Sequence, residues 1–316
     1  MNVLHLSDTP LSGGPLRIHN LLNKYSKAVE SKYIMWQERA EHRYYGSADA
    51  GSGSSKELLE HLIYEWSSVL HFHNRWRRQS VFKILDRPPP KKPSVIHIHN
   101  PRDSENFRDE IDSDIPIAVP AQYHPRVYPE CKFIMPNVVD IYDPVYMKGP
   151  MPEEGLPVVS YSPSNTNARL GSWDDKSYSV VGPILKKMRN SHEIDYQLIH
   201  KKPFAEVMAM KREAWIGIDE ISTGSFHLSG LEYLSLGVPC FSGIDSLTEG
   251  VVKDLTGCSW LPWVKSSKDN FERVLRGLLT HKEIIIDQGT KSRQWMEAYW
   301  APETLAKIYL NMYEKL

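Results

Sequence analysis

Short apolar runs recur along this chain, each closed by a polar turn and followed by a helical stretch. That alternation constrains the fold more than any other feature of the sequence. The run NVLHLSD at 2–8 reads as a compact buried strand, and TPLSGGPLR after it as a turn that two glycines and two prolines keep from becoming helix. Residues 15–30 then carry helical spacing through Leu16, Leu21, Leu22 and Tyr25. Further strands are expected at YIMWQ (33–37), VLHFHN (69–74), SVIHIHN (94–100), PIAVPA (116–121) and KFIMPN (132–137), with a helix over 56–66. GSADAGSGSS at 46–55 reads as a mobile loop and RPPPKKP at 87–93 as a stiff connector. A second series follows: VVSYSP (158–163), a helix over 176–190, YQLIH (196–200), a helix over 203–213, WIGIDE (215–220), a short helix, and CFSG (240–243). Strands alternating with helices imply parallel sheets, because each crossover helix covers a face.

Two such series in 316 residues imply two domains, each of Rossmann-like α/β type, facing each other across a cleft. The acidic, prolyl stretch GPMPEEGLP at 149–157 reads as the linker, which gives domains of 1–150 and 151–316. The composition, 41% apolar and 24% charged, is that of an ordinary globular protein. A formal net charge of −1 exerts no global pull on nucleic acid or anionic lipid. Cys131, Cys240 and Cys258 are odd in number and widely spaced, so neither a disulfide framework nor a paired-cysteine metal site is indicated, and a reducing, cytoplasmic setting is expected. The chain starts at once with strand-like residues, which argues against a secretory leader. No run approaches the ~18 apolar residues of a membrane span.

In open parallel sheets ligands bind beyond the carboxyl ends of the strands. That rule gathers Gly13, Gly14, Asn74, His99, Asn100, Ser162, Ser164, Asn165, Glu220 and the turn 223–230 around one expected cleft. The turn TGSFHLSG at 223–230 runs into a helix whose first N–H groups and dipole suit a phosphate, with Ser225, Phe226, His227, Leu228 and Ser229 beside it. Glu232 lies about one turn further in, a lone acid among leucines. It suits the vicinal hydroxyls of a ribose; equally, it could cap the helix or pair with a lysine.

The stretch GSFHLSGLEYLSLGVPC resembles the signature of GT-B glycosyltransferases, specifically those similar to glycosyltransferase family four. Matching pieces in the same order are VLHLSDTPLSGGPLR, VLHFHN, SVIHIHN, FIMPNVVD, SYSPSN with WDDKS, and the strand–helix–strand text at 196–220. Together they cover about 250 residues. The resemblance implies transfer of a sugar from a nucleotide-sugar donor, held by the C-terminal domain, to an acceptor held by the N-terminal one. It implies retention of configuration and a last helix that crosses back onto the first domain. Gly13 and Gly14 would let the backbone approach the diphosphate and acceptor, and Ser162 and Asn165 would line the donor site. His99 would line the reaction centre, Lys176 with Arg169 would neutralise the leaving diphosphate, and Glu232 would hold the ribose. His73, Asn74 and Arg102 would face the acceptor. Two positions depart from the family: Gly224 stands where a glutamate is usual, with Asp219 or Glu220 as substitutes, and His227 stands where a glycine is usual.

His5, His71 and His97 alternate within strands and read as packed core residues. No metal or other cofactor is implied by any ligand spacing. The basic runs RWRRQ (75–79) and PPPKKP (88–93) read as solvated faces, with a phosphorylated acceptor, an anionic membrane surface or nucleic acid as alternatives. Trp76 among the arginines keeps open an enzyme of the phage type that glycosylates modified DNA bases. The aromatic C-terminal helices, with Leu305, Ile308, Tyr309 and Met312 on one face, read as core rather than membrane anchor. Two rivals stand beside sugar transfer. One is a GT-B epimerase or phosphorylase, the latter disfavoured by the lack of a recognisable pyridoxal-phosphate lysine region. The other is a degenerate, non-catalytic protein that binds a glycan or nucleotide.

Overall fold

The computed structural model describes residues 1–37, 46–75, 79–100, 107–149, 155–163, 165–167 and 176–316. It divides into two units, Met1–Val138 with Pro302–Leu316, and Val139–Ala301. Arg102, Ser164, Arg169 and Trp76 lie outside the described residues, as does most of the stretch read as a linker.

The first unit is built on six parallel strands: β1 (Asn2–Ser7), β2 (Glu30–Met35), β3 (Val69–His73), β4 (Ser94–His97), β5 (Ile117–Pro120) and β6 (Phe133–Met135). They lie in the order β2-β1-β3-β4-β5-β6. The chain thus winds outward in both directions from a switch between β1 and β3. Because the side-chain period of a strand is two, each central strand sorts its residues onto two faces. Leu4, Leu6, Leu70, Phe72, Ile96 and Ile98 form one face of the core with Leu59, Ile63 and Phe82. His5, His71, His73 and His97 are set on the other face by the same alternation, and all are buried. The helix Gly14–Tyr25 and the C-terminal helix Pro302–Tyr313 both belong to this unit. Leu305, Tyr309 and Met312 are buried in it, so the apolar face of the last helix is consumed in the core.

The second unit holds β7 (Val158–Tyr161), β8 (Asp195–Leu198), β9 (Ile216–Glu220), β10 (Cys240–Ser242) and β11 (Val264–Lys265). They pair in parallel in the order β11-β10-β9-β7-β8. Two parallel sheets interleaved with helices make an α/β protein of the expected class. The expected strands fall within a few residues of those observed; β11, two residues long, was not legible. The helix expected over 56–66 is a short α-helix, Lys56–Glu60, continued by a π-helical turn, His61–Trp66. No helix among the described residues is long and apolar enough to cross a membrane.

Candidate functional site

In the second unit the chemistry gathers where β9 ends. Asp219 and Glu220 close that strand, and both are fully buried. Glu220 Oε2 accepts the backbone N–H groups of Ser222 (2.9 Å) and Thr223 (2.7 Å), and Oε1 that of Ser225 (3.2 Å). Asp219 Oδ2 accepts the His227 N–H at 2.5 Å. A buried carboxylate needs such donors. The consequence is a correction to the reading of the turn 223–230 as a phosphate cradle: three of its amides, with that of Ser222 before it, bind the protein's own carboxylates. In the first turn of the helix Leu228–Ser235, the amides of Leu228 and Ser229 lie beyond this arrangement, at the positive end of the dipole. Glu220 thus gives both carboxylate oxygens to the loop, and Asp219 gives Oδ2. Gly224 itself has φ of 75°, and its carbonyl accepts from Thr248 Oγ1 (2.8 Å) and the Asp245 N–H (3.2 Å). The backbone there favours glycine.

Gly230 is held to glycine by packing. A Cβ at this position would lie 2.7 Å from Asp219 Oδ2. The helix start is thereby pressed against the end of β9.

Glu232 is not alone. Lys211, from the helix Phe204–Glu213, places Nζ 2.6 Å from Glu232 Oε2 and 2.8 Å from Ser229 Oγ, and lies 4.5 Å from the centre of the Tyr233 ring. The side chains of Lys211 and Glu232 are 1% and 8% exposed, so this is a buried ion pair. Lys211 was not singled out from the sequence. Its signal was there: it follows Met208 by three residues on the buried face of its helix. Lys176 is buried as well, in a left-handed conformation with φ of 44°, and its carbonyl accepts the Tyr161 hydroxyl at 2.5 Å. Burial pushes its amine below the ordinary lysine range, opposed by the charges of Asp219, Glu232 and Glu220. Burial also lifts Asp219 to about 6, against the pull of Lys176. Ser177 braces the loop, accepting the Ile221 N–H at 2.9 Å and donating to Ser222 Oγ at 2.8 Å.

The other expected donor residues separate. Ser225 and Phe226 are fully buried, Phe226 against Trp263 at 4.7 Å between ring centres, so these side chains are structural. Ser229 is committed to Lys211. Ser162 is half-buried after β7, while Asn165 is exposed and accepts the Asn167 N–H at 2.9 Å in a local turn.

In the first unit the carboxyl ends of β1, β3 and β4 bring Gly14, His73, Asn74 and His99 together. Gly13 has φ of 78° and caps the helix that Gly14 begins, and the position of a Gly14 Cβ is 3.5 Å from the His99 ring. Asn74, with φ of 66°, accepts the His99 N–H on Oδ1 at 2.7 Å. His99 and His73 face each other at 2.8 Å, Nε2 to Nδ1, and His73 Nε2 meets His5 Nδ1 at 3.0 Å. His73 is buried, its ring nitrogens facing His99 and His5, so it offers a sugar acceptor no open surface. His124 donates from Nε2 to the His99 carbonyl at 3.1 Å. Burial holds His99 down to about 3 and His124 to about 4, so both rings are neutral.

Two members of the basic runs are engaged within the fold, while Lys91 is exposed. Arg75 pairs with the buried Glu110 at 3.2 Å and stacks over Phe107. Lys92 donates to the carbonyls of Ile63, Tyr64 and Ser67, closing the end of the π-helical turn. A concavity of about 840 Å³ beside them, lined by Phe82, Arg87, Pro89 and Asp112, contains none of the candidate residues.

No protein-family model matches the sequence, and no curated protein matches it. Solved structures do share its fold. A glycosyltransferase from Rickettsia africae is similar at a TM-score of 0.64 and 12% identity, over 99% of this chain and 98% of that one. Sucrose-phosphate synthase from Thermosynechococcus elongatus gives 0.58 and 9%, over 100% and 99%. S. aureus TarM, in complex with fondaparinux, α-GlcNAc-glycerol and UDP, gives 0.53 and 13%, over 82% of this chain and 58% of that one. Two parallel sheets matched from end to end in such proteins define a GT-B fold.

Proposed function

We propose that this chain is a nucleotide-sugar-dependent glycosyltransferase. The observation that carries the reading is the grouping at the end of β9: a buried lysine, Lys176, a helix start with the Leu228 and Ser229 amides, and Glu232 one turn further in. A departing nucleoside diphosphate gathers negative charge on its bridging oxygen, and a fixed cation and a helix N-terminus stabilise that charge without reorganising. Lys176 supplies the cation, with Arg169 as its partner. Glu232 accepts the ribose hydroxyls, oriented by Lys211. In the first unit His99 faces the transferred sugar, with Gly13 and Gly14 allowing close approach and Asn74 fixing the His99 backbone. Arg102 is assigned to the acceptor, and transfer proceeds with retention.

The shared fold supports this reading, as does the UDP bound in one similar structure. A specific observation favours a second reading, a binding protein without turnover: Gly224 replaces the usual glutamate, and both neighbouring acids are committed to backbone amides. DNA as acceptor is not favoured, because Arg75 and Lys92 are already engaged within the fold.

The deciding experiment combines thermal-shift measurements with UDP, GDP and ADP and product analysis with the matching sugar donors. Lys176→Ala should abolish transfer and weaken diphosphate binding. Nucleotide binding without any product, across all donors, would favour the second reading; no nucleotide binding would overturn both.

A further inference from the structure

The sequence contains His-x-His twice, at 71–73 and 97–99, and the register of the first sheet aligns the two. His73 stands directly opposite His97, and His5 opposite His71, on one face of three adjacent strands. Five imidazoles therefore share one wall. Ring centres of His97 and His99 are 4.2 Å apart, those of His71 and His73 4.3 Å, and those of His73 and His99 5.1 Å.

Aromatic stacking alone does not account for this wall. His97 is 2% exposed, and neither Nδ1 nor Nε2 has a hydrogen-bond partner among the described residues. A neutral imidazole carries one N–H and one lone pair, so leaving both dry carries a desolvation cost of roughly 1–3 kcal/mol for each group. His5 Nε2 and His71 Nε2 are likewise buried without partners. Imidazole nitrogens from three rings within reach of one point are what a transition metal uses, and the His73–His99 contact at 2.8 Å would give way to two metal bonds. In the set His73, His97 and His99, one nitrogen from each ring lies within 4.8 Å of the others. His5, His71 and His73 form a second set of the same kind that shares His73.

We propose that His73, His97 and His99 bind a divalent transition-metal ion, with zinc as the expected occupant. Imidazole suits zinc, copper, iron and nickel, and three histidines with a fourth position for water form an established zinc geometry. This set is preferred to the deeper one because His99 is only half-buried, which gives the ion a route from solvent. The supporting shell is in place. Asn74 holds the His99 backbone N–H, His124 the His99 carbonyl, and His5 lies on His73. Such outer partners fix ring orientation and typically change metal affinity ~10–100-fold when lost. Burial favours the neutral form of all three rings, which is the form a metal requires. The site stands whether or not the chain transfers sugar.

The test uses the full chain, freed of metal with a chelator and then titrated with Co²⁺ and Zn²⁺. One Co²⁺ per chain should bind, giving the intense visible bands of four-coordinate cobalt, and Zn²⁺ should displace it. His97→Phe, which keeps an aromatic ring in the stack, should weaken binding at least ~10-fold. His71→Phe, which removes a nitrogen of the deeper set alone, should retain stoichiometric binding within that margin. Circular dichroism and melting of each metal-free variant check the fold; if His97→Phe fails to fold, His99→Gln at the half-exposed edge decides instead. Absence of stoichiometric binding in the unsubstituted chain would overturn the proposal. So would wild-type affinity in a folded His97→Phe or His99→Gln variant, or loss of binding on His71→Phe alone. Because the readout is metal bound rather than sugar transferred, its failure is distinct from failure of the glycosyltransferase reading.

Discussion

Replacing Lys211 by methionine tests the structure where it bears most directly on the candidate donor site. The Glu232 carboxylate and the Lys211 ammonium are 2.6 Å apart and nearly solvent-free. At an effective dielectric constant of about 20, charges at that distance attract by about 6 kcal/mol, which roughly offsets the several kcal/mol each loses on leaving water. The intact pair therefore contributes little net stability. Lys211→Met keeps the length of the side chain but leaves Glu232 buried and unpaired by it, at a cost of about 3–5 kcal/mol. The second unit spans Val139–Ala301, 163 residues (301 − 139 + 1), for which 1 kcal/mol moves the melting temperature by roughly 2–4 °C. Scanning calorimetry should show its transition fall by about 6–20 °C. Adding Glu232→Leu should recover most of that loss, because an apolar pair can replace a buried ion pair at little cost. A Lys211→Met transition within about 1 kcal/mol of wild type, or a double variant no better than the single one, would refute the buried-pair reasoning.

Three further outcomes are expected. Acid should destabilise the first unit: His99 and His124 titrate near 3 and 4 in the fold but near 6.5 when unfolded, so their contribution is present above pH 6.5 and is lost as pH falls from there. By pH 5 each has lost about 2 kcal/mol, which urea titrations at pH 8 and pH 5 in chelator would register as a lower midpoint. Gly224→Glu, which installs the residue usual in the glycosyltransferases this sequence resembles, should destabilise the second unit by about 1–3 kcal/mol through its positive φ, read by thermal melting. Lys176→Met should raise the Asp219 titration above its present value of about 6, followed by carbon NMR of labelled aspartate, since the lysine is the largest charge holding it down.

The fold was legible because a buried parallel strand leaves a continuous apolar run that few other structures tolerate. VLHFHN and SVIHIHN announce themselves by β-branched and aromatic residues, and Pro93 and Pro101 bracket the second. β11 escaped notice because two residues generate no pattern. At the candidate site, sequence distance decided what was visible. Glu232 and the helix start are local and readable together. Lys211 lies 21 residues earlier on another helix, and its approach to Glu232 depends on how two helices pack. The commitment of Asp219 and Glu220 to backbone amides follows from the path of a loop, which residue types alone do not specify. The histidine wall needed the register of three strands: a shift of one residue would scatter those rings over both faces.

The first unit is interrupted in sequence. Its sheet is complete by residue 138, but the helix Pro302–Tyr313, which supplies Tyr309 and Tyr313 to its core, follows the whole of the second unit. Tyr313 donates or accepts at His71 Nδ1 at 2.7 Å, and the Tyr309 hydroxyl donates to the Pro136 carbonyl at 2.9 Å. During synthesis, then, the domain begun first is finished last. The second unit is contiguous and can close while His71 of the first still waits for Tyr313. The helix that completes the first unit is thus synthesised after every residue of the second.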